Sequence, residues 1–150
     1  MADDLKSRIQ DEVKDAMRGR DRERLNALRL ITAAIKQKEV DDRVDLDDQA
    51  VIGVLEKMIK QRRDSIEQYQ RAGRDDLAAR EAYEIEVIQT YMPAALDDAE
   101  VETLIDAALK QTGASSMKDM GKVMGALKAK VQGRADMGAV GAKVKTRLGG

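Results

Sequence analysis

Apolar residues recur three and four positions apart along almost the whole chain, from Leu5, Ile9 and Val13 near its start to Val140, Val144 and Leu148 near its end. That period keeps apolar side chains on one stripe of an α-helix. Alternating runs of β-branched and aromatic residues, which strands require, are missing. Pro93 is the only proline. It has no amide hydrogen and restrains the residue before it, so it divides the helical pattern in two. The pattern predicts an all-α chain with a four-helix amino-terminal platform over residues 1–93 and a three-helix carboxy-terminal subdomain over 94–150.

Within the platform, the stripes predict helices near 3–18, 21–40, 48–72 and 75–91, with Gly19 and Gly73 at their ends. Asp47 reads as an N-cap, with Leu46 and Val51 as a hydrophobic staple. Asp45, Asp47, Gln49 and Glu56 imitate ligand positions of a calcium-binding loop. Ala50, however, stands where that loop needs glycine for its sharp turn, and the helical stripe already begins at Val51. No metal or cofactor site is expected. Arg18, Arg20, Arg22 and Arg24 alternate around Asp21 and Glu23, a pattern that could face RNA but better suits a solvated corner with local ion pairs.

After Pro93, Asp97 and Glu100 form a capping box, and Gly113 ends the fifth helix. Ser116 and Asp119 form a similar pair that starts the sixth helix, and Asp136 caps the seventh. In the sixth helix Met120, Val123, Met124, Leu127 and Val131 share one arc. Lys118, Gly121, Lys122 and Gly125 share the opposite one. Glycine costs about 1 kcal/mol relative to alanine inside a helix. Two glycines four residues apart and off the apolar stripe therefore call for a reason. Either another backbone comes close there, a phosphate–ribose chain with lysines at its edge being one candidate, or the seventh helix packs on them through Gly138 and Gly141.

Side-chain chemistry restricts the function. With no cysteine and no histidine in 150 residues, disulfides, thiolate nucleophiles, zinc–thiolate sites and imidazole bases are all excluded. Ser115, Ser116 and Lys118 are too few to make a serine–serine–lysine amidase site, and the glycine- and serine-rich loop of such enzymes is missing. Catalysis by the chain alone is not expected. The net charge of −1 hides an asymmetry. Residues 1–112 sum to −7, and residues 113–150, with eight basic and two acidic side chains, sum to +6. A basic segment of this kind points to a polyanion. No aromatic residue follows Tyr91, so this segment has no stacking platform for single-stranded bases. Folded RNA, met through shape and phosphates, suits it better. Lys143 and Arg147, i and i+4 on the last helix, join Lys118 and Lys122 as candidate phosphate contacts.

The chain resembles the GatB/YqeY family, and specifically its stand-alone YqeY-like proteins, over essentially its whole length. The resemblance rests on Leu28-Arg29-Leu30 with Ala33-Ala34-Ile35-Lys36, and on Arg62-Arg63-Asp64-Ser65-Ile66 with Ala72-Gly73-Arg74. More specific are Tyr91-Met92-Pro93, the run from Met117 to Met124, and Gly133-Arg134-Ala135-Asp136. Met92 stands where the family usually has leucine. The resemblance implies kinship with the tail of the B subunit of glutamine-dependent aspartyl/glutamyl-tRNA amidotransferases, which contacts the body of the transfer RNA. It also implies an association with carbon–nitrogen ligases that use glutamine as amido-nitrogen donor, although this chain has neither the phosphorylating domain nor an amidase site. The role so implied is tRNA binding, or assistance to an aminoacyl-tRNA or amidotransferase enzyme, through Lys118, Gly121, Lys122, Gly125, Gly133 and Arg134. A protein-binding adaptor is the other reading that the residues leave open. Met1-Ala2-Asp3-Asp4 is acidic and lacks a leader's basic-then-apolar pattern, and no apolar run nears the roughly 20 residues of a membrane span. A cytoplasmic protein without a membrane partner is the default expectation.

Overall fold

The computed structural model describes residues 4–149; the acidic start Met1–Asp3 and the final Gly150 lie outside the described residues. The chain is all-α. Its helices are α1 (Leu5–Arg18), α2 (Arg22–Asp42), α3 (Asp48–Arg71), α4 (Asp75–Gln89), α5 (Asp98–Thr112), α6 (Met120–Val131) and α7 (Met137–Gly149), with a 3-10 turn at Met117–Asp119 leading into α6. There is no strand among the described residues, and no helix there is long and apolar enough to cross a membrane. The chain divides into two compact units, residues up to Met92 and residues from Pro93 onward.

In the first unit, α1 to α4 close over a core that includes Ile9, Leu28, Ile31, Val51, Leu55 and Ile88. Local chemistry sets the helix starts. The carboxylate of Asp4 accepts a hydrogen bond from the Ser7 amide at 2.7 Å, and that of Asp47 from the Ala50 amide at 2.9 Å. Each satisfies one amide that the first helical turn leaves unpaired. Leu46 and Val51 are both buried beside the Asp47 cap, as a hydrophobic staple requires. α3 starts at Asp48, inside the segment that would form a calcium loop, so Gln49 and Glu56 are helical residues. α2 runs to Asp42, two residues past its expected end, and stops on Arg43 in the left-handed conformation at φ 56°. At the arginine corner Arg18 lies 3.3 Å from Asp15 and Arg24 lies 3.2 Å from Glu12, Asp21 caps α2 by accepting from the Arg24 amide at 3.1 Å, and Arg20 and Arg22 are in no ion pair among the described residues.

In the second unit, Ile105, Val123, Leu127, Val131, Val140 and Val144 form a separate aliphatic core between α5, α6 and α7. The Asp97–Glu100 capping box forms in both directions, at 2.7 Å and 3.3 Å. Gly113 closes α5 at φ 65°, a left-handed conformation that costs a residue with a side chain more than it costs glycine.

Candidate nucleic-acid interface

The entry to α6 is built around Asp119. Its carboxylate accepts from the Ser115 amide at 3.0 Å and from the Ser116 amide at 3.4 Å. Those two donors favour the ionised form and hold the carboxyl below its ordinary pKa of 3.8. Meanwhile the Asp119 amide bonds the Ser116 carbonyl at 2.9 Å. The Ser116–Asp119 pair thus closes a 3-10 turn, and the α-helix proper begins at Met120. The pair forms the capping box that its spacing predicts, and the 3-10 turn over Met117–Asp119 leads from it straight into α6.

From that entry, Val123, Leu127 and Val131 turn into the core, and Met120 and Met124 pack against it. The opposite side of α6 is open. Gly121 and Gly125 are exposed, and a Cβ at either position would meet no atom within 4 Å. Packing on the seventh helix is therefore not their purpose. That contact is made elsewhere: a Cβ on Gly141 would lie 3.8 Å from the methyl carbon of Met124. Lys118 and Lys122 are exposed beside the two glycines. Lys128 follows Gly125 by three residues and Gly121 by seven, so it extends the same face. That spacing alone places Lys128 on the glycine face, although it was not among the expected contacts. None of these three lysines is in an ion pair among the described residues.

The other expected residues are placed differently. Gly133, at φ 78°, takes the left-handed position in the turn between α6 and α7. Arg134 fastens that turn to the segment before α5. Its Nε donates to the Ala94 carbonyl at 3.0 Å, and its own carbonyl accepts from the Leu96 amide at 2.8 Å. Lys143 lies 3.4 Å from Asp98 and 3.7 Å from Glu102, while Arg147 pairs with Glu102 at 3.1 Å and with Asp106. These two cations thus lace α7 to α5. The eight expected residues therefore do not form one patch. Lys118, Gly121, Lys122 and Gly125 come together, Gly133 and Arg134 shape a turn, and Lys143 and Arg147 face carboxylates. Once α5 is counted, the second unit holds nine basic and seven acidic side chains, a net of +2.

Comparison with known proteins bears on this arrangement. The family described as YqeY-like protein matches residues 6–148. The chain belongs to the YqeY-like family. Related curated proteins carry the name altered inheritance of mitochondria protein 41, mitochondrial. The one from Pyrenophora tritici-repentis is 30% identical over 95% of this chain and 80% of its own length. That from Vanderwaltozyma polyspora is 33% identical over 75% of this chain and 64% of its own, and that from Eremothecium gossypii 38% identical over 67% and 55%. The match therefore spans less than two thirds of the last two relatives. All three are mitochondrial by name. This overturns the cytoplasmic expectation, which leaned on the absence of a leader pattern in the first four residues, two of them acidic. The fold and its YqeY-like pattern are not tied to that compartment.

Proposed function

We propose that this YqeY-like chain is a non-catalytic module that binds folded RNA, tRNA first among candidates, or assists an enzyme acting on tRNA. The observation that carries the reading is the open Gly121–Gly125 surface, with Lys118, Lys122 and Lys128 around it and, among the described residues, no carboxylate within ion-pair distance of any of the three. Helix glycines with empty space beside them are costly for the fold and do nothing for its packing. They do let a sugar–phosphate chain approach the helix backbone. The lysines then act as mobile point charges that displace condensed counterions. The kinship with an amidotransferase tail that touches tRNA makes tRNA the first ligand to try.

In a mobility-shift assay with unfractionated tRNA, the chain is expected to bind at micromolar concentration and to release as salt is raised. The double variant Lys118→Glu/Lys122→Glu should bind at least about tenfold more weakly at low salt, with a shallower salt dependence. No retarded band at micromolar protein and low salt sinks the reading.

The glycines make a second prediction with opposite signs in its two arms. Gly125→Ala should stabilise the second unit by up to about 1 kcal/mol, because it fills empty space in a helix interior. Gly125→Leu should leave the unit folded and weaken tRNA binding several-fold, because the longer side chain stands where the phosphate chain passes. Denaturant titration reads the first arm and the mobility shift reads the second. Unchanged tRNA affinity in the leucine variant means the glycines are not the approach surface.

A further inference from the structure

The first unit carries a surface that neither the core nor the RNA reading uses. On α2, Ala27, Leu28, Ile31 and Ile35 enter the core, yet the carboxy-terminal half of the opposite side also carries apolar residues. Leu30 is 45% exposed and Val40 is 59% exposed, with Ala33 and Gln37 exposed between them; Val44, just past the helix end, is 52% exposed. Leu30, Ala33, Gln37 and Val40 fall in alternating steps of three and four, the spacing of a helix-pairing seam. Directly beside the seam stand Arg29 and Lys36, and Arg22 continues their column seven residues earlier, beside the polar Glu23 and Asn26; all three cations are exposed and none is in an ion pair among the described residues. Scattered exposed apolar residues are ordinary. A seam with a charged column in register along its edge is the pattern by which one helix selects another.

The column's sign indicates what covers it. A second copy of this chain does not fit. Antiparallel pairing of two α2 helices sets the basic column against itself. Parallel pairing sets Arg22 and Arg29 against Ala27 and Ala34, which are turned toward the core, and offers a carboxylate only to Lys36. That carboxylate, Asp41, already accepts from the Gln37 side-chain amide at 2.8 Å. RNA fits poorly too, because phosphates would have to lie over Leu30 and Val40. We infer that the outer face of α2 docks an amphipathic helix of another protein, one with apolar residues on its seam and glutamates or aspartates along the flank that meets Arg22, Arg29 and Lys36. This surface lies in the first unit and is independent of the Lys118–Gly125 face.

The test uses the full chain, isotope-labelled for NMR, and two synthetic helical peptides of about four heptads with leucine seams. One peptide carries glutamate at the flanking positions and the other carries lysine. The acidic peptide is expected to move the amide signals of Arg29, Leu30, Ala33 and Val40, and to bind at least tenfold more tightly than the basic one. Leu30→Glu should abolish binding, and Arg29→Glu/Lys36→Glu should reverse the preference between peptides. All of these substitutions are at exposed positions, and circular dichroism confirms the fold of each variant. Lys118→Glu/Lys122→Glu should leave peptide binding unchanged, which separates failure here from failure of the RNA reading. Equal affinity for both peptides, signals moving only elsewhere, self-association removed by Leu30→Glu, or the same α2 signals moving with tRNA each overturns the inference.

Discussion

Replacing Leu127 by alanine is expected to cost the carboxy-terminal unit roughly 2–5 kcal/mol, the range for deleting a fully enclosed leucine side chain. Leu127 has no exposed surface and lies in the aliphatic core with Val123, Val131, Val140 and Val144. Interiors are close-packed and relax only partly around a deleted side chain, so the lost contacts are incompletely recovered. Leu127 is also on the same helix as the glycine–lysine face, so the substitution separates scaffold from surface. Hydrogen exchange should show lost protection across α5, α6 and α7, and denaturant titration should show the reduced stability. Lys128→Ala, one residue along and exposed, should stay within about 0.5 kcal/mol of the parent. A cost below about 1 kcal/mol for Leu127→Ala would mean that α6 is not seated as described and that its outer face is not fixed.

The distribution of cations over the second unit shows why charge counted along a sequence is a poor measure of a binding surface. The excess of +6 over residues 113–150 suggests one broad basic field. In three dimensions α5 brings Asp98, Glu102 and Asp106 against Lys143 and Arg147. Exposed pairs of this kind add little to stability, but they cancel charge locally. Of the lysines outside ion pairs among the described residues, Lys118, Lys122 and Lys128 share the side of α6 where the glycines leave the helix backbone open, whereas Lys130 and Lys145 lie elsewhere.

How much of this was legible depended on the reach of the signal. Asp47, Asp97 and Gly113 were readable because an N-cap or a left-handed C-cap is decided within four residues. The end of α2 was not, because Arg43 takes the left-handed position that usually belongs to glycine or asparagine. Helical period placed Gly121 and Gly125 opposite the apolar arc, and could go no further. Whether solvent or α7 lay beyond them depended on how α7 settles, and it settles with Gly141 against Met124. Arg134 matched a family pattern, but its bond to the Ala94 carbonyl crosses 40 residues and leaves no local trace. The outer face of α2 was missed for a different reason. With apolar residues on both sides of the helix, the period reports the core stripe and masks the second one.

Arg62→Met should destabilise the first unit by roughly 3 kcal/mol at neutral pH, because it strands two carboxylates that are largely out of water. The Arg62 Nε lies 2.8 Å from Glu84 and 3.8 Å from Glu81, joining α3 to α4, and the three side chains are only 14%, 13% and 22% exposed. Desolvation, and then the neighbouring charge of Glu84, push the Glu81 carboxyl above its ordinary value of 4.5, while Arg62 pulls it down. Removing the guanidinium takes away that downward pull, so Glu81 rises further in the folded variant and stays near 4.5 in the unfolded chain. Over the interval between those two values the folded state binds more protons than the unfolded state, and stability therefore increases as pH falls. The deficit of the variant relative to the parent should shrink steadily between about pH 7 and pH 4.5. Urea titrations at three or four pH values read the trend, and adding Glu81→Gln and Glu84→Gln to Arg62→Met should recover most of the loss at pH 7. A deficit that is the same at every pH would assign the role of Arg62 to packing of its alkyl stem between α3 and α4, with no net contribution from the charge.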